Sequence, residues 1–197
     1  MRKGEETKQH IVEKAAGLFN QRGYAGTSLS DLMRATRLEK GGIYRHFESK
    51  EELAGEAFDH AWSVASRERL QDLDTISDTV DRLKRVVSNF VCTSPARLPG
   101  GCPLLNTAVD SDDGNALLRA RAREALRGWR EYIEATVREG IERGKIRAST
   151  NESEISTLII AGLEGALMMS RLTRSGQPLK TMQMHLEGYL ESNLRRS

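Results

Sequence analysis

The sequence is poor in the residues that build disulfide-stapled or metal-dependent folds. Its 197 residues include two cysteines, four prolines and 5% aromatic residues. Neither the cysteines, Cys92 and Cys102, nor the four histidines follow a metal-ligand spacing, which excludes the common zinc-binding modules. One pair of cysteines is no disulfide framework either, so we expect reduced thiols, no metal and no organic cofactor.

Long apolar runs are missing as well. The stretch MRKGEETKQH at the start has no apolar segment, and no window approaches the roughly 18 to 20 apolar residues of a membrane span. We therefore expect no signal peptide, no membrane partner and a cytoplasmic location. The sequence has no Gly-rich phosphate loop, nucleophile elbow or carboxylate–histidine motif, so an enzyme is the least favoured class.

Neither sign of charge predominates overall, but the charged residues are unevenly distributed along the chain. The net charge is +2, with 10 Lys/Arg against 6 Asp/Glu in residues 1–50, and 20 against 22 in the remaining 147 residues. The N-terminal segment is therefore the basic part of the chain, as expected of a region that contacts the phosphates of a nucleic acid.

Helical periodicity is what the sequence does contain. Apolar residues recur at helical spacing and no alternating run suggests a strand, so the predicted class is all-α. Ser28 with Asp31 predicts a capping box, and Ser49 predicts a helix N-cap. We predict a three-helix domain over 1–50 and a C-terminal helical domain over 51–197. About nine helices are expected, near 5–22, 29–36, 39–45, 52–71, 76–92, 102–110, 114–143, 152–173 and 178–194.

Residues 24–53 carry the most specific pattern. Two short helical patterns meet there at a tight turn, and the second presents polar side chains within about one and a half turns, as in a helix-turn-helix that enters the DNA major groove. The characteristic positions of this segment are Thr27-Ser28, Asp31-Leu32, Lys40-Gly41, Ile43-Tyr44, His46-Phe47 and Ser49-Lys50-Glu51-Glu52-Leu53. With these positions, the segment resembles the signature of TetR-family transcriptional regulators over about 50 N-terminal residues.

Two sets of side chains have different predicted roles in this helix-turn-helix. Apolar Leu32, Leu38, Ile43 and Phe47 form a small core, because such short helices need tertiary packing. The predicted DNA surface combines groups that reach phosphates or base edges with a glycine that permits close approach: Thr27, Ser28, Lys40, Gly41, Tyr44, Arg45, His46 and Lys50. The alternative is a solvated polar residue, and for Thr27 and His46 a residue that caps or braces a helix.

Arg37 and Glu39 depart from the family pattern in the turn. The family usually has a glycine where this chain has Arg37, and an arginine in a left-handed conformation is mildly strained. Glu39 replaces the usual Ser or Thr before Lys40 and is a poorer helix cap. These departures concern which operator is read, while the DNA-binding assignment itself is unaffected.

Two apolar helices near the C-terminus indicate a self-association surface. Residues 158–169 are nearly all apolar and include small residues that permit close helix approach. The resemblance implies a homodimer through the last two helices, and two helix-turn-helix domains related by two-fold symmetry match a palindromic operator in double-stranded DNA. The predicted contacts are Leu158, Gly162, Gly165, Ala166, Met182, Leu186, Tyr189 and Leu190. The alternative is an ordinary intramolecular core.

The resemblance also implies a small-molecule effector, whose identity the sequence leaves open. Candidate pocket residues are Phe58, Trp62, Phe90, Cys102, Trp129, Tyr132, Met168 and Met169, and the alternative for each is a filled core. Cys102 follows a Gly-Gly break at a predicted helix start, where a thiolate is favoured. It is therefore either a sensor of electrophiles or a buried core thiol.

The leading hypothesis is a dimeric, ligand-responsive repressor that leaves a palindromic operator when its effector binds. Two alternatives stay open: a DNA-binding module that acts through a protein partner without a small ligand, and a helical-bundle enzyme. An internal pocket of roughly a few hundred Å³ would favour the ligand sensor over the module.

Overall fold

The computed structural model describes residues 3–92, 99–112 and 114–196. Within these ranges the chain forms nine α-helices, a 3-10 turn at Leu73–Thr75, a π-helical turn at Leu190–Leu194 and no strand. The all-α prediction is therefore confirmed. The helices are α1 (Lys3–Arg22), α2 (Leu29–Thr36), α3 (Lys40–Tyr44), α4 (Lys50–Arg69), α5 (Thr79–Cys92), α6 (Pro103–Ser111), α7 (Ala116–Glu142), α8 (Glu152–Thr173) and α9 (Gln177–Tyr189).

Short-range sequence signals account for several helix ends. The Ser28 hydroxyl accepts a hydrogen bond from the Asp31 N–H, and the Asp31 side chain accepts one from the Ser28 N–H, which completes the predicted capping box. At the start of α4, the Ser49 hydroxyl accepts a hydrogen bond from the Glu52 N–H at 3.0 Å. Gly23 follows α1 with φ +72°, a conformation that costs glycine little.

The chain divides into two compact units, one of residues 1–65 with 94–125 and the other of residues 66–93 with 126–197. The predicted boundary near residue 50 does not coincide with this division, which passes through α4 and α7. The first unit gains α6 because that helix packs on α1. Contacts between residues so far apart in the chain leave no trace in local periodicity, so the sequence prediction missed them.

The core of the first unit holds the helix-turn-helix together. Leu32, Ile43 and Phe47 are each at most 2% exposed and pack against α1 and α4, while Leu38 is partly buried beside them. Fully burying one such side chain stabilises a fold by about 1.5–3 kcal/mol. The predicted apolar core of this segment is confirmed for these residues.

In the second unit, α8 packs against α9, and α5 packs against both. The inner face of α8 is formed by Ile155, Ile159 and Leu163, each at most 4% exposed. By length and composition alone α8 could cross a membrane, with a mean hydropathy of 1.4, so the expectation that no such stretch exists was too strict. A core helix meets the same criteria, and α8 packs its inner face against α9 and α5 in this unit.

Candidate DNA-binding surface

The turn between α2 and α3 is held from both sides. Arg37 follows α2 in the left-handed conformation, at φ 59° and ψ 33°, as expected from the sequence, and this conformation is unfavourable for a residue other than glycine. The Thr36 hydroxyl donates to the Leu32 carbonyl at 2.8 Å, and the Nε2 atom of His10 on α1 lies 3.1 Å from the Thr36 carbonyl oxygen. The end of α2 is therefore fixed although its terminal residue is not glycine.

Helix α3 has an apolar inner side and a polar outer side. Ile43 is 1% exposed, whereas Lys40, Gly41 and Arg45 are exposed and Tyr44 is half-buried. The Lys40 Nζ atom lies 5.8 Å from the centre of the Tyr44 ring, so these two side chains share one side of the helix. A Cβ atom at Gly41 would meet nothing within 4 Å. Lys40, Gly41, Tyr44 and Arg45 therefore form one outward surface, called here the α3 face.

Two residues predicted to contact DNA, Thr27 and Ser28, form hydrogen bonds within the protein just before α2. Thr27 is fully buried, and its hydroxyl donates to the Gly23 carbonyl at 2.8 Å, so in this structure it braces the turn after α1 and is withdrawn from solvent. The Ser28 hydroxyl donates to the Asp31 carboxylate at 2.7 Å in addition to capping α2. This hydrogen bond, followed by smaller effects that include Arg22, lowers the pKa of Asp31.

Lys50 is the third predicted contact with a role inside the protein. Its Nζ atom donates to the Tyr24 carbonyl at 2.6 Å and lies 4.2 Å from the centre of the Tyr24 ring. Partial burial lowers the pKa of Lys50, and the carboxylate of Asp110 opposes that shift. A phosphate contact by Lys50 would have to replace these interactions. His46 is half-buried next to the α3 face.

Sequence reasoning missed a polar cluster that joins α6 to the end of α1, formed by Asn20, Asn106 and Asp110 and called here the α1–α6 clasp. The Asn106 amide donates to the Asn20 carbonyl at 3.0 Å and to the Gly100 carbonyl at 2.8 Å. The Asn20 amide in turn donates to the carbonyls of residues 99 and 101. No local signal reveals this cluster, because Asn20 and Asn106 are 86 positions apart.

Asp110 completes the α1–α6 clasp by holding the turn that leads into α2. Its Oδ2 atom accepts a hydrogen bond from the Tyr24 N–H at 2.7 Å. A Cβ atom at Gly23 would lie 2.6 Å from Asp110 Oδ1, and the φ of +72° is strained for other residues, so this position favours glycine. Helix α6 is therefore tied to the same turn that Thr27 and Lys50 brace.

We expect Asn106→Ala to lower the free energy of unfolding by about 1–3 kcal/mol, because two carbonyls lose a shared donor. Urea denaturation followed by circular dichroism measures this change. The control is Asn193→Ala, which removes an exposed amide and should change stability by less than about 0.5 kcal/mol. Equal losses in the two variants would contradict a structural role for the α1–α6 clasp.

Some of the predicted effector-pocket residues lie in the first unit and the others in the second. Phe58 lines a cavity of about 20 Å³ in the first unit, which has room for about one water molecule. Cys102, also in the first unit, is 4% exposed at the start of α6, which supports the alternative of a core thiol. Trp62 is half-buried there.

In the second unit, the predicted pocket residues separate into buried and exposed groups. Phe90 and Trp129 stack with ring centres 5.7 Å apart, and Tyr132 is half-buried, with a pKa raised mainly by burial. Met168 and Met169 are 50% and 52% exposed, so in this structure they belong to the outer side of α8. Their apolar character suggested a pocket, but a sequence does not show which side of an apolar helix remains uncovered.

The predicted dimer contacts also divide into two groups. Ala166, Leu186 and Leu190 are at most 4% exposed, so they belong to the core of their own chain. A Cβ atom at Gly162 would lie 3.0 Å from Met182 Sδ, which shows that this glycine serves the close packing of α8 on α9 within one chain. These five positions fit the alternative of an intramolecular core.

The remaining predicted dimer residues mark the outside of the same two helices. Leu158 is exposed, Tyr189 is half-buried, and the space beside Gly165 is open. Large apolar side chains add to this surface, and most of those on α8 recur at helical spacing. We call it the α8–α9 apolar surface: Leu158 at 36%, Met168 at 50%, Met169 at 52%, Leu172 at 78% and Met184 at 65% exposed.

Comparison with known proteins identifies both parts of the chain. A family model described as bacterial regulatory proteins of the tetR family matches residues 11–57. A second, described as the C-terminal domain of tetracycline-repressor-like proteins, matches residues 79–186. Together they span the helix-turn-helix and most of the helices that follow it.

Individual relatives match over nearly the whole length. A TetR transcriptional regulator from Chloroflexus aurantiacus is 47% identical, covers 100% of both chains and superposes with a TM-score of 0.95. A transcriptional regulator from Saccharomonospora viridis, solved in complex with choline, is 25% identical with a TM-score of 0.81, over 98% of this chain and 100% of that one. The transcriptional repressor DhaR from Mycobacterium sp. is 29% identical over 87% of this chain and 86% of its own. The chain belongs to the TetR family of transcriptional regulators.

Proposed function

We propose that the protein is a homodimeric cytoplasmic repressor that binds a palindromic operator through the α3 face and leaves it when a small-molecule effector binds. The observation that carries this proposal is the α3 face itself. It presents the cations of Lys40 and Arg45 and the phenol of Tyr44 beside the exposed Gly41. The buried Ile43 anchors the opposite side of the helix in the core. Cations and hydroxyl groups at such a surface suit phosphates and the edges of bases.

The α8–α9 apolar surface supports the dimer. Regulators of this family bind DNA and are dimeric. Several large apolar side chains exposed on two packed helices are unusual on a monomer and mark a surface that another molecule covers. A second copy of the chain, docked there about a two-fold axis, would present two α3 faces to one duplex. The operator would then consist of two half-sites in inverted orientation.

Two observations support a small-molecule effector. The C-terminal family model covers residues 79–186, and domains of this kind typically bind ligands. The choline complex of the related regulator shows that this fold accommodates a small organic molecule in at least one relative. An effector that prefers the non-binding conformation by about 3 kcal/mol would weaken operator affinity roughly 150-fold. The cavity beside Phe58 is too small to be its site.

Selection of bound sequences from random duplex DNA tests the proposal. We expect the purified full-length chain to enrich one sequence with inverted symmetry, because two related α3 faces impose that symmetry on the DNA. Failure to enrich any sequence at low salt would contradict DNA recognition by this protein. Enrichment of a single half-site would contradict the dimeric mode but leave DNA binding intact.

A further inference from the structure

The second unit contains a cationic side chain surrounded by groups that attract cations. Arg69, the last residue of α4, is only 3% exposed. Its guanidinium carbon lies 4.6 Å from the centre of the Phe90 ring and 4.4 Å from the centre of the Trp129 ring. Both distances are inside the range of about 6 Å in which a cation is attracted to the face of an aromatic ring.

A buried carboxylate also lies near Arg69. Glu164, on α8, is 8% exposed, and its Oε1 atom lies 4.0 Å from an Arg69 guanidinium nitrogen. Three helices thus contribute to the cluster: Phe90 comes from α5, Trp129 from α7 and Glu164 from α8. Two aromatic faces and a carboxylate are the chemistry with which proteins bind quaternary ammonium and guanidinium groups.

A tethered guanidinium in such a site can be replaced by a free cation without changing the charge of the interior. Burying an isolated carboxylate is costly, so Glu164 needs a cation whether Arg69 supplies it or not. Arg69 can leave with little rearrangement of the backbone, because α4 ends at this residue and the next one, Leu70, is 39% exposed. In water, the displaced guanidinium would recover its hydration.

We propose that Phe90, Trp129 and Glu164 form a binding site for an effector with a small organic cationic group, and that Arg69 occupies this site when the effector is absent. The proposal rests on the function proposed above and specifies the chemical class of its effector. Displacement of Arg69 removes the contacts that join the end of α4 to Phe90, Trp129 and Glu164. Helix α4 begins at Lys50, directly after the helix-turn-helix. When the effector cation replaces the Arg69 guanidinium, the change therefore occurs at one end of a helix whose other end packs against the helix-turn-helix.

Chemical rescue of Arg69→Ala tests the site directly. This variant leaves the position of the guanidinium empty. We therefore expect Arg69→Ala to bind methylguanidinium and tetramethylammonium at least about tenfold more tightly than the wild type binds them. Calorimetric titration gives the affinities, and thermal unfolding at equal ionic strength should show stabilisation by the cations above that by sodium. The matched control is Arg67→Ala, which removes an exposed arginine from the same turn of α4 and should show no such gain.

The variant Arg69→Ala/Glu164→Gln distinguishes a site that recognises the charge of a cation from a cavity that any small molecule could fill. We expect rescue to disappear there, because the counter-charge is gone while the aromatic rings remain. If Arg69→Ala unfolds even with cations present, the comparison moves to the wild type, where tetramethylammonium should bind and Glu164→Gln should abolish binding. Absence of cation binding in both comparisons overturns the proposal. Stabilisation of the wild type by benzoate but not by cations, lost in Arg69→Ala, also overturns it, since Arg69 would then bind an anion.

Operator binding distinguishes failure of this inference from failure of the proposed function. With the selected operator in hand, tetramethylammonium should weaken operator binding by the wild type, where it displaces Arg69, but not by Glu164→Gln, which lacks the counter-charge of the site. Cation binding without an effect on the operator would support the site and contradict its role in repression. Release of the operator by other compounds, with no cation binding, would support a ligand-responsive repressor and overturn the cationic effector.

Discussion

Replacing Lys40 and Tyr44 together by alanine should weaken binding to the selected operator at least about a hundredfold, because each contact to a phosphate or base is worth about 1–3 kcal/mol and a dimer loses it twice. The salt dependence of the remaining binding should also fall, since Lys40 no longer releases counterions. Fluorescence anisotropy with labelled operator DNA, repeated at several salt concentrations, measures both effects.

The fold should survive this double substitution. Lys40 is exposed and Tyr44 half-buried, whereas the core residues beneath them are unchanged. Circular dichroism and sedimentation should therefore match the wild type. Lys145→Ala, at an exposed lysine of the second unit, is the matched control and should bind normally. Tyr44→Phe keeps the ring beside Lys40 and isolates the contribution of the hydroxyl. Unchanged operator affinity in the double variant would remove the α3 face from the proposed mechanism.

Glutamate at both Leu172 and Met184 should convert the dimer to monomers and remove high-affinity operator binding with it. These are the most exposed large apolar residues of α8 and α9, at 78% and 65%. A dimer that covers them would have to bury four carboxylates, and even imperfect burial costs several kcal/mol in total. Analytical ultracentrifugation measures the dissociation constant of the dimer, which should rise at least about a hundredfold.

Val109→Glu is the matched control for the dimer prediction. Val109 is 73% exposed on α6 of the first unit, so the same chemical change is made outside the α8–α9 apolar surface. It should leave the dimer intact. Equal dissociation by both changes would show that added charge alone separates the chains. A dimer that persists in the Leu172→Glu/Met184→Glu variant would place the interface on other residues.

The sequence predicted best where neighbouring residues decide the structure. The Ser28–Asp31 capping box, the N-cap at Ser49 and the positive φ at Gly23 each depend on residues within a few positions. Such interactions form in any environment that allows a helix there. The apolar periodicity around Ile43 was equally reliable, because a short amphipathic helix can bury only one side.

The sequence left the role of a polar side chain open where that side chain had a choice of partner. Thr27 and Lys50 have the chemistry to contact phosphate, yet the fold gives the first the Gly23 carbonyl and the second the Tyr24 carbonyl. The chemistry of a side chain determines which partners it can bind. Which partner lies within reach is decided by the way the turn after α1 packs against α4 and α6.

Apolar residues near the C-terminus show the same limit. The pattern identified α8 and α9 as helices with much apolar surface, but it could not separate the buried Leu186 from the exposed Met184 by composition. Burial depends on the partner that covers a given side of a helix, and one strongly apolar helix offers several sides. Met168, for example, is predicted as a pocket residue, and in this structure it lies on the outer side of α8.

The sequence by itself determined the helical class, the N-caps at Ser28 and Ser49 and the apolar core of the helix-turn-helix, because these follow from helical periodicity and from interactions between near neighbours. Only the tertiary structure decided that α6 is tied to α1 by Asn106 and that Arg69 is buried against Phe90 and Trp129. Those contacts join residues far apart in the chain, and their positions are set by the packing of whole helices, which no local pattern records.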